Sequence, residues 1–240
     1  MPKSLSYAMP KQVISLFTLP LLIACNQERT PQNTVLISDG TVYFKGFITE
    51  ESIDETIELL RKSDNKLRIT SEGGANTPAI TLGNYIYDNE TEVIFQIQCY
   101  SACANYILPA ARKGFVKRGT VVGWHGGAYQ GVWEVDLDEN PEAKRRIEAW
   151  QKIESELYRK LNIDRNINVY GIINNYELLL SEPYCMRLTK RGDWQGWTYT
   201  MSDLKKMGVI MQFEDKEIPL GQRGRDDIQC YIYPFKHSSG

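Results

Sequence analysis

The sequence predicts a single α/β domain, and three observations point to it. Between Leu67 and Gly127 the chain alternates strand, turn, helix and strand, with the apolar period switching between two and about 3.6 residues. The turns at the two ends of that run contain paired glycines: Ser71-Glu72-Gly73-Gly74 after the first strand and Trp124-His125-Gly126-Gly127 after the last. The composition, 42% hydrophobic and 24% charged over 240 residues, suits one ordinary globular core.

The elements follow in chain order. Val35-Leu36-Ile37 and Thr41-Val42-Tyr43-Phe44 straddle Asp39-Gly40, a strong hairpin signal, and Gly46-Phe47-Ile48 continues the second strand. Thr49 can cap a helix from Glu50 to about Ser63, with acids in its first turn and Ile53, Ile57 and Leu60 facing inward. Leu67–Thr70 is a strand, Thr77–Asn89 a helix with Ala79, Ile80, Leu82 and Ile86 at helical spacing, and Val93–Ile97 a second strand. Cys99-Tyr100-Ser101-Ala102-Cys103 then opens an apolar helix to about Ala111, and Val121–Trp124 is a third strand. Gly126–Asn140 reads as a loop or irregular hairpin. Pro141 suits the first position of a helix that Ala143, Ile147, Trp150, Ile153, Leu157 and Leu161 carry to about Asn162. Beyond it, Asp164–Leu180 reads as a compact helical segment and Tyr184–Leu188 as a strand. Lys190–Trp197 is a glycine-punctuated aromatic turn, with Trp194 and Trp197 as candidate groove walls. Met201–Met207 is a helix, Phe213–Asp227 a charged surface loop, and Gln229–Tyr233 an edge strand.

The chemistry these turns suggest is nucleophilic. Ser101, at a strand-to-helix turn, has its hydroxyl at a helix N-terminus, where orphan N–H groups can stabilise an oxyanion. His125, at the end of a nearby strand, can take its proton. Gly73-Gly74 lets a backbone N–H approach a substrate carbonyl without side-chain obstruction. All would lie along one edge of an α/β sheet, where such folds bind ligands. Each piece has a plainer use: a serine caps helices, a Gly-Gly pair turns the chain, a lone histidine packs. Their order and spacing together favour the catalytic reading. The chain has only two histidines, and His237 lies in a polar tail, so a catalytic histidine would be His125.

The same residues carry a family resemblance. Ser71-Glu72-Gly73-Gly74 resembles the Ser-Pro-Gly-Gly turn of the Clp protease proteolytic subunit, with Glu72 in place of the proline. Ser101 and His125 fall where that family has its nucleophile and general base. Met201–Val209 resembles its late helix ending in glycine, and the likeness runs from about Val35 to Met211. The resemblance implies a crotonase-like ββα superhelix, with an oxyanion hole at Gly73, Gly74 and the Ala102 N–H. It implies a triad aspartate near Asp193, though not in perfect register. A Ser-His dyad, or orientation of His125 by a backbone carbonyl, is the alternative. Signal-peptide peptidases of the same superfamily use a Ser-Lys pair, for which Lys113 and Lys117 are near in sequence, but His125 makes the histidine reading preferable. The Pro141–Asn162 helix lies where the family has its handle helix, which implies homo-oligomer contacts; simple packing on its own domain is the plainer reading. The expected activity is an ATP-independent serine peptidase for peptides or unfolded protein, with no cofactor and no metal. The alternative is an inactive homologue that binds peptides or a partner in the same groove. Acyl-CoA chemistry on this fold is disfavoured by the export signal.

That signal is Met1–Ala24. Lys3 and Lys11 supply a positive region and Val13–Ile23 an apolar stretch of eleven residues, too short to span a bilayer. Met9-Pro10-Lys11 repeats Met1-Pro2-Lys3, which leaves two candidate starts. Leu22-Ile23-Ala24-Cys25 resembles a bacterial lipobox, implying lipidation at Cys25 and a place in the cell envelope, with the outer membrane somewhat preferred. Residues 25–34 read as a flexible tether and 35–240 as the domain. Formal charge is −2, with no basic stripe, which argues against a nucleic-acid partner. Setting Cys25 aside leaves Cys99, Cys103, Cys185 and Cys230, an even number for an oxidising compartment. A Cys99–Cys103 bridge is geometrically possible, and Cys185–Cys230 would then tie the C-terminal strand to the core; free buried thiols are the plainer alternative.

Overall fold

The structure, a computed structural model, describes residues 33–130, 136–172, 195–223 and 226–233. Contacts divide the chain into Met1–Thr30 and Pro31–Gly240, and all described residues belong to the second unit. The unit is α/β, built on a mostly parallel sheet. Strands β1 (Thr34–Ser38) and β2 (Thr41–Lys45) form an antiparallel hairpin. Both turn residues have positive φ (Asp39 46°, Gly40 69°), as the sequence pair anticipates. Helix α1 (Glu50–Arg61) starts with a reciprocal cap: Ser52 N–H donates to Thr49 Oγ1 at 3.1 Å, and Thr49 N–H donates to Ser52 Oγ at 3.0 Å. Strand β3 (Lys66–Ser71), helix α2 (Asn76–Asp88) and strand β4 (Glu92–Tyr100) follow. β2, β3 and β4 run parallel, burying Val42, Phe44, Leu67, Ile69, Val93 and Phe95 in one core with the apolar faces of α1 and α2.

β4 does not stop at Ile97 but continues to Tyr100. Ile97 takes φ 66° and marks an irregularity in the pairing with β3 between Ile69 and Ser71. The bulge splits β4 into two halves with different neighbours. Glu92–Phe95 pair with β5 (Lys113–Val116), and Gln98–Tyr100 pair with β6 (Val121–Gly123), both in parallel. β5 is an element the apolar pattern misses, since Lys-Gly-Phe-Val offers almost no alternation. The segment after Ser101 also departs from expectation. Instead of an α-helix to Ala111 there is a π-helical turn, Cys103–Ile107, closed by Leu108 N–H to Cys103 O at 3.0 Å. Ala102 to Ala111 are all buried, so no polar face existed to reveal the helix type.

Helix α3 (Pro141–Leu161) has Asn140 as N-cap, Pro141 in its first turn and Asn162 in the left-handed conformation at its end. It turns Ala143, Glu154, Leu157 and Tyr158 inward, so one face packs on its own domain. Residues Arg165–Asn168 form a 3₁₀ turn within the Asp164–Leu180 segment expected to be helical, whose residues 173–180 lie outside the described residues. The Tyr184–Leu188 strand expectation lies outside the described residues. The stretch read as an aromatic turn contains a strand, β7 (Gly196–Tyr199), all of it buried. Trp197 is therefore core, its Nε1–H donating to Tyr199 Oη at 2.7 Å, and not a groove wall; Trp194 lies outside the described residues. After helix α4 (Met201–Lys206) come β8 (Gln212–Phe213), which adds to the main sheet beside β5, and β9 (Gln222–Arg223) and β10 (Asp226–Asp227), which pair with each other. These two-residue strands border and interrupt the expected Phe213–Asp227 surface loop, whose residues 214–221 form no strand. β11 (Gln229–Ile232) pairs in parallel with β7 in a second small sheet. Among the described residues no helix is long and apolar enough to cross a membrane.

Candidate active site

The site forms where β4 and β6 end side by side. Tyr100 is opposite Gly123, and Ser101 N–H donates to Gly123 O at 2.9 Å, so Ser101 and His125 each emerge just past a paired residue. Trp124 is held by a two-way bridge to Trp197, at 2.9 and 2.8 Å, which fixes the chain on the His125 side. The result is a direct contact: His125 Nε2 lies 2.7 Å from Ser101 Oγ. Ser101 has φ 55°, a conformation that costs a non-glycine residue of order 1–3 kcal/mol and here turns the serine out of the strand. Cys99 and Cys103 flank it and are joined by a disulfide, with Cα atoms 5.2 Å apart. Cys230 is also disulfide-bonded; Cys185 and Cys25 lie outside the described residues.

Gly73 passes directly against the serine. A Cβ there would sit 2.6 Å from Ser101 Cβ, 2.7 Å from the Tyr100 carbonyl oxygen and 3.0 Å from the Ala102 nitrogen, and the residue has φ 99°. Only glycine fits. The turn corrects one detail of the expected oxyanion donors. Gly73 N–H is already used, donating to Ser71 Oγ at 3.0 Å, while Ser71 Oγ–H donates to Gly46 O at 2.8 Å. Gly73 O and Ala75 N–H bond Ile48 as a short parallel bridge, so the intervening Gly74 N–H points away from Ile48. Gly74 N–H is thus left turned away from Ile48, and the missing side chain of Gly73 is what lets the turn approach Ala102 N. Glu72, in the proline's position, turns outward and accepts from Gln98 Nε2 at 3.0 Å.

Desolvation of the ring lowers the His125 pKa below its usual value, and a hydrogen bond to its own backbone carbonyl acts in the opposite sense. The imidazole is therefore neutral near pH 7 and able to accept a proton. Tyr100 stacks on it with ring centroids 5.9 Å apart and planes 18° apart, and the Tyr100 hydroxyl donates to the Gln195 carbonyl. Asp193 lies outside the described residues, and among those described no carboxylate is hydrogen-bonded to His125. Lys113 is not a base for Ser101: it pairs with Glu90 at 2.7 Å and its strand partner is Glu92, at the opposite end of β4. Lys117 follows β5, its N–H bonded to Phe95 O. Among the described residues no group of three or more His, Cys, Asp or Glu could hold a metal ion.

A groove of about 360 Å³ borders Tyr100, the residue before Ser101, and is lined by Phe47, Glu72, Gln98, Gln195 and Gln222 among others. Beneath the pair lies a feature the sequence reading did not single out. Glu154 of α3 is fully buried among Tyr106, Ala128 and Asn168. Its position on an apolar helix face was the available signal, since an acid there must find hydrogen-bond partners. No family model matches the chain, and no curated protein matches it.

Proposed function

We propose that this protein is a serine hydrolase, most simply a peptidase, built on a crotonase-like fold of the Clp type. The observation that carries the reading is the 2.7 Å contact between Ser101 Oγ and a neutral His125 Nε2, at a left-handed serine against which Gly73 is packed. Ser101 attacks the substrate carbonyl, His125 takes its proton and returns it to the leaving group, and the N–H groups of Gly74 and Ala102 hold the oxyanion. The Tyr100 ring stacked on the imidazole gives His125 an orienting contact that does not depend on Asp193. The groove beside Tyr100 is the place this reading assigns to the substrate chain.

The same proposal places the protein in the cell envelope, anchored by lipid at Cys25 and acting without ATP. Two disulfide-bonded sites, Cys99–Cys103 and Cys230, support an oxidising compartment. The test is labelling of the protein with a fluorophosphonate, followed by peptide mapping, for wild type, Ser101→Ala and His125→Ala. Labelling at Ser101 that disappears in both variants is expected. A folded wild-type sample that takes up no probe would sink the hydrolase reading and leave a binding role for the groove.

A further inference from the structure

Glu154 lies wholly buried on the inner face of α3, and the hydrogen bonds it accepts fall on one oxygen. Oε2 takes the Tyr106 hydroxyl at 2.6 Å, the Asn168 side-chain amide at 3.2 Å and Ala128 N–H at 3.3 Å. Oε1 is buried and receives no donor. In the same cluster the side-chain oxygens of Asn105 and Asn168 are also buried with no donor. Among the described residues no cation compensates the carboxyl; only burial and hydrogen bonds act on it.

An ionised carboxylate has two equivalent oxygens, and burying it unpaired costs several kcal/mol. A neutral acid is asymmetric: its carbonyl oxygen accepts and its hydroxyl donates. The Glu154 cluster has that asymmetry, with two amide oxygens left waiting for a donor. We propose that Glu154 is a positioning residue that ties the Ser101 turn to the His125 loop as a neutral carboxylic acid, donating from Oε1 to the amide oxygen of Asn105 or Asn168. What it positions rests on the hydrolase reading; its protonation state does not.

The connections to the dyad are short. Tyr106 and Asn105 belong to the π turn, and Asn105 N–H donates to Ser101 O at 2.8 Å. Asn105 Nδ2 donates to Gly126 O at 2.9 Å, next to His125, and Tyr158 of α3 donates to Asn105 O at 2.7 Å. Ala128 is three residues beyond His125. One carboxyl therefore braces both sides of the Ser101–His125 contact from below. The titratable groups facing it are Tyr106 from the π turn and Tyr158 from α3, both held well above their ordinary value by burial and so neutral. Trp150, which donates to Tyr106 Oη at 2.8 Å, does not titrate. Burial raises the pKa of Glu154 itself.

The experiment compares wild type with Glu154→Gln and Glu154→Leu. An infrared difference spectrum, wild type minus Glu154→Gln at neutral pH, should contain the carbonyl band of a carboxylic acid; carboxylate bands in its place would overturn the proposal. Fluorophosphonate labelling of Ser101 should slow about 100-fold in Glu154→Leu, the scale of a 1 Å misplacement, and Glu154→Gln should recover most of it by keeping one acceptor and one donor in the same shape. A glutamine variant as slow as the leucine one would also overturn it. If Glu154→Leu does not fold, Glu154→Gln decides alone: a loss near 100-fold refutes positioning. If wild type does not label, the hydrolase reading fails, yet the infrared band and amide exchange at Gly126–Ala128, fast in Glu154→Leu and slowed again in Glu154→Gln, still test Glu154.

Discussion

Two polar clusters meet at the π turn Cys103–Ile107, and they treat water in opposite ways. At its edge, Ser101 is half-buried and meets His125, whose residue is open to solvent while its ring stacks on Tyr100, and the pair rests on their mutual contact, a left-handed serine and a glycine squeezed against it. Within it, Tyr106 and Asn105 join Glu154, Tyr158 and Asn168 in a sealed network where a single carboxyl oxygen takes three donors. The difference teaches a division of labour. On the hydrolase reading, the groups that exchange a proton with a substrate have few partners, and the buried network supplies the rigidity they lack.

The largest effects are expected at the open cluster. His125→Ala should slow fluorophosphonate labelling of Ser101 by about 100- to 10,000-fold, the usual range for a general base, with the melting temperature changed little because the ring makes only one side-chain hydrogen bond and one stack. Wild-type labelling in that variant would remove His125 from the chemistry. Gly73→Ala forces a Cβ to 2.6 Å from Ser101 Cβ at a φ of 99°. We expect a loss of about 100-fold in labelling and about 1–3 kcal/mol in denaturant stability. A variant with normal labelling would show that the Gly73 approach is not needed.

Smaller effects sharpen the contrast. Replacing Cys99 and Cys103 together by serine removes a four-residue closure, which the chain-entropy model values at about 2 kcal/mol in urea titrations. Labelling should fall by more than the population of unfolded protein explains, because the bridge flanks Ser101. The two clusters should also respond to pH with opposite sign. His125 has a lowered folded pKa, so the unfolded chain binds its proton first as pH falls through about 6.5. Labelling should accordingly be lost only below that value. Glu154 has a raised folded pKa, so above about 4.3 the unfolded chain gives up a proton that the folded state keeps, and stability declines as pH rises toward the folded value. Glu154→Gln should lack that decline and His125→Ala the acid one. Identical pH–stability curves for wild type and Glu154→Gln would mean that Glu154 ionises normally.

Much of the site's frame was legible because its causes are local. Asp39-Gly40 sets a hairpin, Thr49 and Pro141 start helices, and Gly73-Gly74 makes a turn that few other residues could follow; each depends on neighbours a few positions away. Ser101 and His125 could be singled out for the same reason, since each closes a strand and begins a turn. β5 and β7 were not visible. Lys113–Val116 has too little alternation to announce a strand, and Gly196–Tyr199 is buried on every residue, so no polar face remained to set a period.

The residue order alone specifies an α/β unit whose turns bring a serine, a histidine and a glycine pair to one sheet edge, because turn and cap residues act within their own few bonds. Tertiary structure decided the rest. It set the bulge at Ile97 that gives β4 two neighbours, and it committed the Gly73 N–H to Ser71 while turning the Gly74 N–H away from Ile48. It also made an acid on α3 a brace for a turn nearly fifty residues earlier. Those outcomes depend on which hydrogen-bonding groups are left unpaired once the core closes, and that is settled only when distant segments meet.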